Sequence, residues 1–596
     1  MTILSDHVTD RPPGFILYIM KGFVFMSKRI VIVGGVAGGA STAARIRRLD
    51  EHASIVMFEK GDDVSFSNCS LPYYISGDVP EREKLVEMSP EKFKAWHNID
   101  VRVKTEVIKI CRDEKCVVVR ERESGKEYKE YYDKLVLATG ARAVRPRSIV
   151  GVDRENVFTV RNVTDVCRLK EYVTASNAQN IVVAGGGFVG LEIAENFKKL
   201  GKNVSVVEGA AQVMMPFDYD MVQLLHKEII DNGLALHVNS MVKEITDRSV
   251  IAERNGKTVE IPADAVVLSI GVAQETGLAA EAGLEIGSYR GIRVNHNYQT
   301  SDPDIYAVGD SIETFDRLGR KYGSFAQAGP AQREARAAAD HICGLPHNNN
   351  GYIATSCLRV FRMNAACTGL NERNARALGI PYDVAYVLPF DKVKIMPDSH
   401  YMAFKLIFEV PTGRILGAQA IGEGNVTRRI DVIATMITMG GTLENLKELE
   451  LCYSPVYGTA KDVVNIAALV GLNLLSGRIR QVRVSDVRKL VEDGAYIVDV
   501  RESNEFNKGH LKGAVNIPLS ELRERRNEIP RDRPVYIHCR TAQRSYFALC
   551  GLLGDGYDNV VNISGSFLGV CLNEYFNDKF EEREPIVTAY NFSVFD

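Results

Sequence analysis

An α/β chain of several domains, two of them nucleotide-binding units of the Rossmann type, is predicted by three observations. A glycine-rich turn follows a β-branched run at residues 30–33 and again at 181–184, and each turn opens a helix. Each helix leads to a strand that ends in an acid, Glu59 in the first unit and Glu208 in the second. Beyond residue 480 a different alternation of strands, loops and helices begins. At 596 residues the chain is too long for one core, and a prior of about 100 to 200 residues per domain predicts several.

The first 25 residues hold two apolar pieces, 14–20 and 23–25, broken by Lys21 and Gly22. They are too short to span a bilayer and lack the run and cleavage site of a signal peptide. Residues 1–25 are therefore expected to be an extension without a structural role. In the first unit Gly34 and Gly39 bracket the turn, with Val36 at the middle glycine position, and Glu59 lies twenty residues beyond Gly39. Glycines let the backbone approach a pyrophosphate at a helix N-terminus, and the acid bonds ribose hydroxyls. In the second unit Gly185, Gly187 and Gly190 complete the fingerprint around Phe188 and Val189. Glu208 would repel a 2′-phosphate, so NADH is expected over NADPH. Strands running into Thr139-Gly140, into Gly271 and into Gly309-Asp310 fit a chain that begins one nucleotide domain, inserts another and returns. The expected divisions are 26–145 with 265–345, and 146–264 inserted between them.

Among small polar residues past the second strand stands Cys69, in the segment 65–74. The thiolate is the reactive form of cysteine, and Ser65 and Asn68 can supply donors that lower its pKa. Cys111 and Cys116, with four residues between them and strand-like runs on either side, read as the two sides of a hairpin. Residues 346–475 change to strands followed by helices, an α+β module without a nucleotide signature. Its apolar helix at 463–475 is expected to pack on another subunit. Residues 476–483 read as a linker, 484–580 as the third unit and 581–596 as a tail. There Cys539 leaves a strand and opens a loop into a helix, so that backbone amides form a cradle aimed at the sulfur, with Arg540 and Arg544 adding charge. Net charge is −3 without long runs of one sign, which argues against nucleic acid and anionic membranes and for small molecules. Eleven scattered cysteines fit a reducing compartment, and a cytoplasmic location is expected.

With these motifs in place, residues 26–475 resemble the flavoprotein disulfide reductases, through the paired units, Ala307-Val308-Gly309-Asp310 and a following dimerisation domain. Segment 65–74 is similar to their single-cysteine branch, the coenzyme A-disulfide reductases. Residues 480–580 resemble rhodanese through Asp499-Val500-Arg501, Gly509-His510 and the loop Cys539, Arg540, Thr541, Ala542, Gln543, Arg544. The combination is that of coenzyme A-disulfide reductase/rhodanese fusions, also described as NADH-dependent persulfide reductases. The resemblance implies FAD at Gly34, Gly39, Glu59, Thr139, Gly140, Gly309, Asp310 and Ala328. It implies NADH at Gly185, Gly187, Phe188, Val189, Gly190, Glu208 and Gly271. Coenzyme A contacts would fall on Ser41, Arg45, Arg48, Ser65, Asn68, Tyr453 and Tyr457, two of them arginines three apart on one helix face. No metal is expected. A homodimer is implied, with Cys69 and Cys539 catalytic and coenzyme A disulfide, persulfide or polysulfide as substrate. One departure is Met396, where related enzymes carry a tyrosine before a proline. Two rival readings are an NADH oxidase or peroxidase with a cysteine sulfenic acid, whose usual histidine in the first turn is Ala37 here, and a flavin-bound redox sensor.

Overall fold

The computed structural model describes residues 28–593 apart from 348 and 350; the expected extension 1–25 lies outside the described residues. Strand Arg29–Val33 is the centre of a five-stranded parallel sheet, in the order Ile305–Ala307, Lys134–Leu137, Arg29–Val33, Ser54–Phe58 and Asp100–Arg102. After Arg29 every residue of the central strand is buried. Parallel strands read as continuous apolar runs because helices cover both faces, here with Ala37–Leu49 packed along Ala328–Ile342. A second sheet repeats the plan in the order Ala235–His237, Asn203–Val207, Asn180–Ala184, Ala265–Leu268 and Val157–Phe158.

The return crossing comes later than the sequence reading placed it. Strand Ala265–Leu268, expected to open the returning part of the first domain, pairs with Asn180–Ala184 from Ile181↔Ala265 to Ala184↔Leu268. It is therefore the fourth strand of the inserted domain, and the first sheet is rejoined only by Ile305–Ala307 on Lys134–Leu137. A short apolar run states that it is buried, and does not state in which of two parallel sheets. Cys111 and Cys116 face each other across the hairpin of Thr105–Cys111 and Cys116–Glu121 as free thiols.

The third domain is an antiparallel sheet in the order Ser356–Val360, Met363–Gly369, Ile415–Gly422, Met402–Glu409 and Tyr382–Val387. Helices Val426–Met439, Leu443–Lys447 and Val463–Leu475 lie on one face. The last is started by Asp462, whose side chain accepts from the Val464 amide in a capping box closed by Asn465. Its buried residues Val463, Val464, Ala467 and Ala468 join the core of this domain's own sheet, while Ile466, Val470, Leu472 and Leu474 are only partly buried.

The fourth domain is a parallel sheet ordered Gln481–Val482, Val560–Ile563, Val535–His538, Tyr496–Asp499 and Val515–Asn516. Its edge strand takes the last residues of the expected linker. The residues expected as a tail return to the domain: Val587 bridges Leu511, and the Thr588 amide donates to His510 O at 2.9 Å. Gly509 has φ +143°, and a Cβ there would lie 2.4 Å from Ala589 O, so glycine is required where this segment passes. Helix Ser566–Glu581 lies against helix Tyr219–Asp231 of the second nucleotide domain. His226 and Phe576 rings are 4.5 Å apart, and Tyr219 donates to Asn577 at 2.6 Å. Leu568, Leu572 and Phe576 share one core with Leu225, Ile229, Tyr386 and Leu388.

Candidate functional site

The two glycine turns are built alike. Gly34 and Gly185 have φ of +99° and +110°, and a Cβ on them would lie 2.1 Å from Ala138 O and 2.2 Å from Ser269 O. A Cβ on Gly39 or Gly190 would stand 1.8 or 2.0 Å from the carbonyl of the turn's first glycine. These four positions are fixed by packing of helix against strand. Gly187 differs, since the space beside it is empty within 4 Å, as a backbone left bare for a phosphate requires. It is the N-cap of helix Phe188–Lys199, and Val36 holds the same place before Ala37–Leu49. Glu59 accepts from the amides of Gly35 at 2.9 Å and Gly61 at 2.8 Å; Glu208 accepts from Gly186 at 2.7 Å and Ala210 at 2.8 Å. Two bonds leave each carboxylate with lone pairs to spare.

Around the first turn the residues fit a flavin dinucleotide. Thr139 donates to Glu275 O at 2.6 Å and Gly140, at φ +68°, accepts from the Glu275 amide, which leaves the strand end open. Gly309 has φ +77° and its amide donates to buried Glu334, turning Asp310 outward to an ion pair with Arg161 at 2.8 Å. Ala328 starts the helix beside it. Gly271, at φ +112°, occupies the corresponding place after the fourth strand of the second sheet, and Val189 is exposed beside Phe188.

Cys69 lies in the short turn Asn68–Ser70, which runs into helix Leu71–Ser76, and it is exposed. The expected lowering of its pKa by Ser65 and Asn68 is not what these residues do. Ser65 takes φ +47° and donates its amide to Gly35 O, while Asn68 Oδ1 is buried without a partner among the described residues. Desolvation raises the thiol above its usual range, Glu192 and Asp310 add to the rise, and Arg161 opposes it. Helix Leu71–Ser76 packs along Phe188–Lys199, so Tyr73 reaches Glu192 at 3.5 Å. Burial and neighbouring Glu195 push Glu192 up to about 7 against the Tyr73 hydrogen bond. Sequence reasoning missed Arg161 and Glu192. Glu192 sits two residues past the last glycine of the fingerprint, and no sequence signal pairs it with a cysteine more than a hundred residues earlier.

Of the expected coenzyme A contacts, Ser41 and Arg48 remain open on helix Ala37–Leu49, with Arg48 exposed. Arg45 gives its Nε to Asp340 at 2.6 Å, which fixes the guanidinium and leaves its two Nη groups as donors. Tyr453 and Tyr457 are exposed, and Tyr457 lines a cavity of about 540 Å³ with Asp391, Lys392, His400 and Arg428. Met396 sits in the turn between Phe390 and Tyr401, next to exposed Ile395.

In the fourth domain Cys539 follows strand Val535–His538 and is 1% exposed. Its amide donates to Ser566 Oγ at 3.2 Å, and its carbonyl accepts from Phe567 at 3.0 Å. Thr541 leads to Ala542, at φ +73°, which turns the loop into helix Gln543–Gly554. The two expected cations are not equivalent. Arg544 forms a two-pronged pair with Glu505 at 2.6 and 2.8 Å, whereas Arg540 Nη2 donates to Asn591 O at 3.0 Å and Nη1 is buried without a partner among the described residues. Beneath the loop Asp499 and Arg501 pair at 2.6 Å, both buried. Burial would raise the Asp499 carboxyl, but His538 and Arg501 outweigh it and hold it low.

Comparison with known proteins agrees with this geometry. Residues 28–335 match the model of the pyridine nucleotide-disulphide oxidoreductases, 356–462 that of their dimerisation domain and 483–572 that of rhodanese-like domains. The crystal structure of reduced Bacillus anthracis CoADR-RHD is 40% identical, covering 92% of this chain and 99% of that one, with a TM-score of 0.89. A NAD-dependent persulfide reductase from A. fulgidus is 34% identical over 90% and 99% of the two chains, with a TM-score of 0.85. Coenzyme A disulfide reductase of Staphylococcus epidermidis is 29% identical over 74% of this chain and 98% of its own. Two dinucleotide turns, a lone cysteine beside the first and a second cysteine heading a loop that turns into a helix are thus carried by a member of the pyridine nucleotide-disulphide oxidoreductase family, FAD- and NAD(H)-dependent by family, with a rhodanese domain at its C-terminal end.

Proposed function

We propose that the protein is a homodimeric, NADH-dependent reductase of coenzyme A disulfide, coenzyme A persulfide or polysulfide, in which Cys539 gathers sulfane sulfur for reduction at Cys69. The observation that carries this reading is the exposed Cys69 thiol, on the segment tied to the first dinucleotide turn by the Ser65 amide on Gly35 O, in a chain whose second candidate thiol heads a rhodanese loop. One cysteine in the reductase site requires the second sulfur to come from outside. Cys69 Sγ attacks the sulfur–sulfur bond of the substrate, the departing thiolate takes a proton, and two electrons from NADH then cleave the bond formed at Cys69. With a persulfide the balance is RSSH + NADH + H⁺ giving RSH, H₂S and NAD⁺. Bound FAD would supply the two-electron relay between nicotinamide and sulfur. Glu208 supports NADH over NADPH, since its carboxylate occupies the place a 2′-phosphate would need.

The test is an anaerobic NADH assay over coenzyme A disulfide, coenzyme A persulfide, glutathione persulfide and polysulfide, read with hydrogen sulfide release. Cys69→Ser is expected to abolish turnover with all four. Cys539→Ser is expected to spare coenzyme A disulfide and to lower polysulfide turnover by about tenfold. Polysulfide turnover unchanged in Cys539→Ser would sink the relay.

A further inference from the structure

Among the described residues a single rung of a single sheet pairs two cysteines. In the hairpin of strands Thr105–Cys111 and Cys116–Glu121 the register runs from Ile110↔Val117 to Cys111↔Cys116, the last pair before the turn. Residues directly opposite in an antiparallel ladder project from the same face. Ile110 and Val117 enter the core of the first nucleotide domain, so the two cysteines share the other face. Opposed Cα atoms in such a ladder stand about 4.5 or 5.5 Å apart, and either separation lies within the roughly 4.4–6.8 Å that a disulfide spans. Both are free thiols of unequal access: Cys111 is half-buried and Cys116 is 0% exposed. Burial raises the Cys116 thiol above its usual range, and Cys111 adds to the rise. An oxidant in solution therefore meets Cys111 first.

The turn beyond this rung is tied to a strand of the parallel sheet. Arg112 Nε pairs with Asp302 at 2.8 Å and Lys115 with Asp304 at 2.5 Å, while Lys115 O accepts from the Tyr132 amide at 2.9 Å. Asp304 directly precedes strand Ile305–Ala307, which runs to Gly309 and Asp310 in the site that fits a flavin dinucleotide. The cysteine rung thus closes the hairpin at the end that braces that strand.

We propose that Cys111 and Cys116 are a reversible disulfide site, oxidised by low-molecular-weight disulfides, whose closure fastens the brace on strand Ile305–Ala307. Cys111 Sγ, as the thiolate, attacks a disulfide RSSR to give Cys111–S–S–R, and the departing RS⁻ takes the proton that Cys111 lost. Cys116 Sγ then attacks Cys111 Sγ, the second RS group leaves with the Cys116 proton, and the sum is two protein thiols and RSSR giving one protein disulfide and two RSH. Two electrons pass to RSSR. The site is separate from Cys69 and Cys539, and nothing in it depends on the function proposed above.

In the test, full-length holoenzyme without NADH is incubated with oxidised glutathione, remaining thiols are blocked, and tryptic peptides are weighed without reductant. Peptide 110–112 joined to peptide 116–120 is expected in most molecules and is expected to disappear with dithiothreitol. In Cys116→Ser a glutathione adduct should accumulate on Cys111, whereas in Cys111→Ser the buried Cys116 should take up glutathione about tenfold more slowly. On heating, FAD fluorescence is expected to appear about 3 °C later from the oxidised protein than from the reduced one, a shift absent in Cys116→Ser. Wild-type protein in which Cys111 stays as the glutathione adduct overturns the disulfide site, as does recovery of both thiols free while exposed Cys69 is modified. A linked peptide without a shift in FAD release supports the site and overturns the brace.

Discussion

At the scale of single residues, glycines with the same one-letter code do different work. A Cβ at position 190 would fall 2.0 Å from Gly185 O, whereas at 187 it would meet nothing within 4 Å. Gly190→Ala is therefore expected to destabilise the second nucleotide domain by about 3 kcal/mol in thermal or urea unfolding, as overpacking against backbone does. Gly187→Ala is expected to leave the melting temperature unchanged and to raise KM for NADH, because the added methyl stands where a phosphate would approach. Glu192 makes a third case. Its carboxyl, pushed up to about 7 by burial and Glu195, is one of the groups that raise the Cys69 thiol. In Glu192→Gln that repulsion is gone, the thiolate forms at lower pH, and Cys69 alkylation at pH 7 should quicken about threefold. A pH profile of alkylation identical in the two proteins would show that the pair is not coupled.

At the scale of elements, the contact between helices Tyr219–Asp231 and Ser566–Glu581 buries His226 completely. Its Nε2 accepts from the Val213 amide at 3.2 Å, its ring lies against Phe576, and burial pushes it down from 6.5 to about 3. A histidine kept neutral in the folded state binds protons more readily once unfolded. Stability is therefore expected to be intact above pH 6.5 and to fall as pH drops from 6.5 toward 3. His226→Gln should flatten that part of the profile, measured by thermal unfolding between pH 4.5 and 7. The same helix pair explains why the sequence reading took the last domain as a unit after a linker. Each helix carries an apolar face that satisfies the rule for burial, and nothing in its periodicity says that the partner lies some 350 residues away in the chain.

Over the whole molecule, the rhodanese domain is joined to the reductase by a shared apolar core, by Gln481 on Val384 O and by the Arg483–Glu372 ion pair. Ending the chain after Ser476 would uncover the faces of Tyr386, Leu388 and helix Tyr219–Asp231. Such a truncated protein is expected to melt about 5 °C lower and to bind a hydrophobic dye that the full chain does not. Among the described residues no helix is long and apolar enough to cross a membrane. The sequence alone determined the two dinucleotide units, their terminal acids, the lone cysteine in 65–74 and the cysteine loop at 539–544. Each of these is a local demand on the backbone, for positive φ, close approach or a strand running into a helix, and such demands are written in consecutive residues. Only the tertiary structure decided that Ala265–Leu268 joins the inserted sheet, that Arg45 is held by Asp340 and that Glu192 is brought within electrostatic reach of Cys69. Those pairings join residues about 80 to nearly 300 positions apart, and they are set by which apolar faces pack together, a choice that many sequence patterns would satisfy equally well.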